Sequence, residues 1–432
     1  MRPEKKLTTI GLSLLLLAMS ASVLEAADKW GTPTLNEKYR PQQAWMQKFS
    51  ETPNVVADTS IAEAIENCNE IVGNGYCTIE VDGDETDFPL EIFRSKTKIV
   101  GVDDMEPLTS SKNGTFIYIG DNTQKVILEG LNIQGHSAGN NGIYGIIVEG
   151  SKIRNIAIQN NKIHSFSSNS NAHGIAVYGT GTGGKNSIRN ILIRDNDIYD
   201  MRTGSSESIV VNGNVQRWEI STNSVINVNN IAIDAIGGEG TSPAGTDKNG
   251  RVVPGKTDAA RFGFIEHNYV ENLHISDNPA YGNKESWAAA IYVDGAHHIH
   301  IEGNEVVDTA WGYEIGAENC IISKHITMLN NTSDDAYYGD LVLGGYAATG
   351  FKADKSINCN PNNTEDANEG HGYVKFLTIK DNAFNTYSGA EESVTLQYRT
   401  TNAVVVQDGV EAVNEYGNGS AKGDANAIRV VE

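Results

Sequence analysis

Positive charge is scarce in this sequence: 33 Lys and Arg stand against 55 Asp and Glu, for a formal net charge of −22. So acidic a surface repels nucleic acid and anionic lipid, and neither is an expected partner. An acidic ligand would need local basic groups or bound cations. Long apolar runs are also missing beyond the chain start. Arg2, Lys5 and Lys6 precede an apolar run from Ile10 to Met19, with small residues up to Ala26 and Ala27. That is the pattern of a secretory leader over 1–26, and its apolar run is roughly half of what a membrane span requires. No cysteine near the cleavage region offers a lipid anchor. The expectation is export to periplasm or medium, without membrane insertion. Cysteine is scarce too: Cys68, Cys77, Cys320 and Cys359 are the four present. In an oxidising compartment an even count points to disulfides rather than thiol or metal chemistry. Nearness in sequence favours Cys68 with Cys77 and Cys320 with Cys359.

A short phrase recurs: an apolar residue, two variable ones, asparagine, one variable residue and another apolar one. It is seen at Ile158…Asn161…Ile163, Ile193…Asn196…Ile198, Ile220…Asn223…Val225, Ile265…Asn268…Val270, Ile301…Asn304…Val306 and Ile379…Asn382…Phe384, with a degenerate copy at Met328…Asn331. The steps between the asparagines are 35, 27, 45, 36, 27 and 51 residues. A unit near the smallest step, lengthened by insertions, is the mark of a solenoid. Alternating residues such as Ile191-Leu192-Ile193 precede each copy, the period of a strand buried on one side. Asn, Asp and Gly crowd the intervals, which excludes helical repeats. Stacked coils of three short strands place asparagine at corners, where amides form ladders.

Ser60-Ile61-Ala62-Glu63 has the Ser-x-x-Glu form of a capping box, and Ile61, Ala64, Ile65 and Cys68 share one helical face. The expectation is an amphipathic helix capping the first coil, whose open edge would otherwise be exposed. Strands at Thr78–Val81 and Lys98–Val100 would follow. The organisation expected is a leader at 1–26, an extension at 27–57 and one solenoid domain at 58–432.

The run Cys77-Thr-Ile-Glu-Val81 followed by Ser95-Lys-Thr-Lys-Ile-Val-Gly-Val102 resembles the opening of pectate-lyase-like proteins, over roughly residues 58 to 410. The resemblance implies an all-β fold: a single-stranded right-handed parallel β-helix with an N-terminal capping α-helix. It does not choose among lyases, glycosidases, epimerases, phage spikes and adhesins. Ser206-Glu-Ser-Ile-Val-Val-Asn-Gly213 is similar to the Asn-Gly-x-Glu-Ser-Ile-Arg-Ile-Gly phrase of alginate and dermatan lyases of this fold. Glu207 and Ile209 match, and Val210 stands where the phrase has arginine. The signatures of polygalacturonases, the main pectate lyases and alginate epimerases are absent.

Aligning terminal glycines in Gly174–Gly179, Ser208–Gly213, Ala232–Gly237, Ala290–Gly295 and Gly312–Gly316 sets the side-chain alternation. It turns Asp234, Tyr292 and Glu314 outward in one row, with Asp294 and Asn212 beside them, at a coil spacing of about 4.8 Å. Like charges so packed call for a cation, a proton or a substrate; a solvated acidic face is the alternative. Insertions at about 238–260, 274–288 and 346–372 leave from these strands and would wall a cleft, bringing Lys248, Arg251, Lys256, Arg261 and Lys284.

Two mechanisms suit an acidic row with basic walls. In β-elimination on an acidic, uronate-containing polysaccharide such as alginate or pectate, Arg261, Lys284 and Tyr292 are the catalytic candidates. Asp234, Asp294, Glu314 and Glu239 would hold Ca²⁺, the candidate cofactor. Glu207, Asn212, Tyr178, His173 and Lys256 would bind substrate. In glycoside hydrolysis two of the carboxyls act as acid and as base or nucleophile. A secreted, monomeric polysaccharide lyase is the first expectation, a hydrolase the second and a non-catalytic glycan-binding solenoid the third. His297-His298-x-His300 is read as a surface face rather than a metal set.

Overall fold

The computed structural model describes residues 35–57, 60–82, 88–243, 245–246, 252–319, 321–345, 373–385, 387–389, 393–396, 400–406, 412–414 and 428–430. The expected leader, Cys320, Cys359, Lys248, Arg251 and the insertion at 346–372 lie outside these residues.

The strands gather into two long sheets of 13 and 16 strands. One coil shows the winding. Ile188–Arg194 runs in the first sheet and Asp197–Gly213 crosses the second. Val215–Ser221 then returns to the first sheet in parallel register, Ile191 opposite Trp218. The second-sheet strand bends where its register shifts between Arg202 and Glu207, which divides each coil into three faces. The fold is a right-handed parallel β-helix, the hand that twisted parallel strands favour.

Inward residues stack by type along the axis. Ile158, Ile193, Ile220, Ile265, Ile301, Met328 and Ile379, which open the asparagine phrases, fill one column of the core. Buried Trp218 faces Gly263 in the next coil, where a Cβ would lie 2.0 Å from the indole. The glycine supplies the room that the largest side chain needs.

The asparagines form the expected ladder. From Asn161 through Asn196, Asn223, Asn268, Asn304 and Asn331 to Asn382, each Oδ1 after the first accepts the main-chain N–H and the Nδ2–H of the asparagine one coil earlier. Each Nδ2 also donates to a carbonyl of the preceding coil, as Asn223 does to Ile193 at 3.0 Å. The residue before each rung is left-handed: Asn160, Asp195, Thr222, His267, Gly303, Asn330 and Asp381 have φ between 54° and 65°. Asn, Asp and Gly adopt that conformation most readily, so the corner is written in the pair and not in the asparagine alone.

The helix spans Ile61–Val72; the Ser60 side chain caps it by accepting the Glu63 N–H at 3.0 Å, and Ile61, Ala64, Ile65 and Cys68 are its buried face. A disulfide joins Cys68 to Cys77 at the start of strand Cys77–Val81. Ahead of the helix, the extension lies along the outside of the first sheet. Trp45, Met46 and Phe49 cover outward Ile127, Ala157 and Leu192, and Tyr39 stacks on Phe262 at 4.3 Å. Arg40 donates to both oxygens of Glu266, at 2.7 and 2.8 Å, and to Glu219 at 3.3 Å. His300, expected on a surface face, is buried beside these groups, its Nε2 2.8 Å from Glu302.

Candidate active site

The outward row lies on the last face of each coil. Strand register places Val210, Asp234, Tyr292, Glu314 and Val342 opposite one another in successive coils. Ile233, Ala235, Ile291, Val293, Tyr313 and Ile315 point into the core, as the alternation requires. Four more carboxyls converge here. Asp294 follows Tyr292 on the same strand, and Glu207 comes from the bend before Val210. Glu239 reaches in from the start of a loop, where Asn212 Nδ2 donates to it at 2.7 Å. Glu318, which sequence reasoning missed, lies just past the end of strand Glu305–Ala317; its N–H donates to Asp294 at 2.7 Å, and its carboxylate lies 3.4 Å from the Tyr292 hydroxyl.

Burial pushes up the carboxyls of Glu207, Asp234, Asp294, Glu314, Glu239 and Glu318, and neighbouring carboxylates raise each further. For Glu314 the result is about 8. Asp234 Oδ1 is buried without a hydrogen-bond partner. Removing a carboxylate from water disfavours its charged form, and like charges nearby act in the same direction. Glu314 therefore keeps its proton at neutral pH.

Towards the N-terminal end the same face turns apolar. Ile147, Ala176, Val210 and Ile236 form an external cluster with Tyr118, Tyr144 and Tyr178. A pocket of about 370 Å³ opens there, lined by Tyr144, Ile147, Glu149, Asn171, His173 and Tyr178 among others. His173 Nδ1 lies 2.8 Å from the Glu207 carbonyl, which can only accept, so Nδ1 carries the proton and Nε2 accepts from the Tyr178 hydroxyl at 2.8 Å. Burial lowers His173 to about 4. With the Glu207 carboxyl raised, the 3.7 Å approach of that carboxyl to Nδ1 joins two neutral groups rather than an ion pair.

Asp234, Tyr292, Glu314, Asp294, Glu207, Asn212 and Glu239 thus come together, with Tyr178 and His173 adjoining them. Among the basic candidates, Arg261 does not join them. Arg261 belongs to the other sheet, between Gln216 and His297, and is buried. Its guanidinium donates to Asn214 Oδ1 at 2.7 Å and to the carbonyls of Ala259 and Thr257 at 3.0 and 3.3 Å. That set of acceptors corrects the expectation of a base facing the row. Lys256 and Lys284 are exposed on their loops. For Ca²⁺ the row offers oxygen donors of the right kind. Among the described residues the trio whose ligand atoms come within 4.8 Å of one another is Glu266, His300 and Glu302, under the extension, where Arg40 already pairs with Glu266.

No family model matches the sequence. An uncharacterised protein of Bacillus subtilis strain 168, YwoF, is 31% identical over 229 residues, 51% of this chain and 44% of that protein. The chain therefore spans about half the length of this curated relative. Among solved structures, the A-module of mannuronan C-5 epimerase AlgE6 from Azotobacter vinelandii aligns over 87% of this chain and 96% of its own, with TM-score 0.48 and 9% identity. An alginate lyase from Paenibacillus sp. FPU-7 aligns over 80% and 99%, with TM-score 0.42 and 11% identity. Tailspike protein 2 of bacteriophage CBA120 aligns over 82% of this chain and 47% of its own, with TM-score 0.46 and 12% identity.

Proposed function

We propose that this chain cleaves glycosidic bonds in a polysaccharide by hydrolysis, with the acid row as its catalytic centre. The observation that carries the reading is the convergence of six carboxyls, all raised, with Asp234 and Asp294 buried, Glu207, Glu314 and Glu318 half-buried and Glu239 at the exposed rim, while Arg261 is engaged on the other sheet. Hydrolysis needs one carboxyl that keeps its proton to deliver to the leaving oxygen and one that ionises to activate water or attack. Glu314, pushed up to about 8, suits the acid. Asp294 is placed for the base or nucleophile by the Glu318 N–H, which opposes the burial and neighbouring carboxylates that raise it, and it acts once it has released its proton. The pocket beside Tyr144 and Tyr178, whose rings are joined by polar groups from Glu149, Asn171 and His173, would seat a sugar ring next to the reacting bond.

β-Elimination is the weaker reading. Its base on the row would be Tyr292, whose hydroxyl burial and the surrounding carboxylates push well above the ordinary range, so it keeps its proton. Export through the expected leader would bring the protein to extracellular glycans.

The test is incubation with a panel of neutral and uronate polysaccharides, reading reducing ends beside near-ultraviolet absorbance. Reducing ends without absorbance, lost in Glu314→Gln and Asp294→Asn, are expected. A rise in absorbance would establish elimination and overturn hydrolysis.

A further inference from the structure

We infer that an exposed aromatic cluster centred on Trp287 and Tyr338 is a second sugar-binding surface, which extends the acid row and grips the glycan beyond the reacting bond. The inference rests on the glycan reading of the row. Trp287 is 59% exposed and Tyr337 56% exposed. The indole of Trp287 lies stacked on Tyr338, with centroids 4.7 Å apart and planes inclined by 27°. Trp311 flanks Tyr338 at 5.8 Å, and Tyr337 bridges Tyr338 and Tyr387 at 4.8 and 5.6 Å.

Leaving such rings in water forgoes their burial, and a contiguous exposed patch of them marks an interaction surface. Trp287 bears a second cost: its backbone is left-handed, at φ 57°, which a bulky side chain rarely adopts. Packing within the solenoid repays neither cost.

Position and chemistry select the occupant. Trp287 belongs to the loop after His274, which is held to the solenoid by Asn278 Nδ2 donating to the Gly204 carbonyl at 2.8 Å and Arg202 donating to the Asp277 carbonyl at 2.7 Å. The same loop carries Tyr281 and runs directly into strand Ala289–Asp294, which bears Tyr292 and Asp294 of the acid row. Trp311 precedes Gly312, Tyr313 and Glu314 on one strand. Row and cluster are thus continuous through one loop and one strand. The flat rings match the C–H faces of a pyranose, and the Tyr338 hydroxyl with its acceptor Glu285, 2.5 Å away, offers hydrogen bonds to ring hydroxyls at the rim.

The experiment is electrophoresis of the full chain through native gels that contain, one at a time, alginate, pectate, a mixed-linkage β-glucan or an arabinan. Binding is read in the Asp294→Asn background, so failure to cleave and failure to bind are separate results. At least one polysaccharide should retard this protein, and adding Trp287→Ala with Tyr337→Ala should weaken retardation by about tenfold, the order of a well-made aromatic stacking contact. Trp287→Phe should keep most of it. Unchanged thermal unfolding will show that these surface changes spare the fold. Retardation equal with and without the aromatic substitutions overturns the inference, as does absence of retardation in every gel. A dimer seen by light scattering that the double variant loses would also overturn it, assigning the surface to self-association. Aromatic-dependent retardation by a protein that cleaves nothing would uphold the surface while the hydrolytic reading fell.

Discussion

Seven asparagines and six carboxyl groups run along the same solenoid on different sides, and the chain treats the two sets of polar groups in opposite ways. Every asparagine after the first offers its Oδ1 to two donors one coil earlier, and its own amide reaches a carbonyl behind it. Such a column is self-satisfying: each coil supplies what its neighbour needs, and burial strengthens the bonds. The carboxyls supply one another with repulsion, and Asp234 Oδ1 has no partner at all. A polar group kept buried without satisfaction lowers stability, so its retention points to use rather than to architecture.

The widest expected separation between the two columns is in catalysis. Glu314→Gln or Asp294→Asn should lower cleavage by about 10²–10⁴-fold, the usual contribution of a positioned acid or base, with the fold intact by circular dichroism. Asn223→Ala should instead leave chemistry per folded molecule unchanged and cost about 3 kcal/mol or more, since it strands the Asn196 donors and the Ile193 carbonyl in the interior. Denaturant unfolding reads that loss, which should be the same at acid and alkaline pH.

The pH dependence sharpens the contrast further. The raised Glu314 carboxyl holds a proton in the folded state that the unfolded chain has released. Its favourable contribution is complete below the ordinary value of 4.5 and is lost as pH rises to about 8. The thermal midpoint of the natural protein should fall across that window, and less steeply in Glu314→Gln; an equal slope in the variant would show that Glu314 is not raised. The smallest effect is expected at Arg40→Ala, about 1–2 kcal/mol, because the guanidinium that pairs with Glu266 is partly screened by water.

Much of this was legible before any coordinates. The asparagine phrase located all seven rungs, including the degenerate one at Asn331, because a ladder requires one residue type at one place in every coil. Terminal glycines set the strand alternation correctly enough to put Asp234, Tyr292 and Glu314 in one row. Glu318 escaped because it lies past Ala317, the last residue of its strand, where alternation no longer applies. The placement of Arg261 failed for a related reason: nearness to an insertion does not reveal on which sheet the chain re-enters. Tyr281, Trp287 and Tyr338 come from a loop and a separate coil, and no period links them. The extension was equally opaque, since Arg40 meets Glu266 across 226 residues.

That extension bears on how the molecule comes apart. In a solenoid each coil touches mainly its neighbours, so unfolding can begin at an end and proceed one coil at a time. Residues 39–49 lie across five successive strands of the first sheet, from the one bearing Ile127 to the one bearing Glu266. While the segment is in place, those coils are joined by a single stretch of chain that none of them can leave without breaking its contacts with the others. It converts a row of nearly independent units into one cooperative block, and a single proteolytic cut between the segment and the helix would let them fray separately.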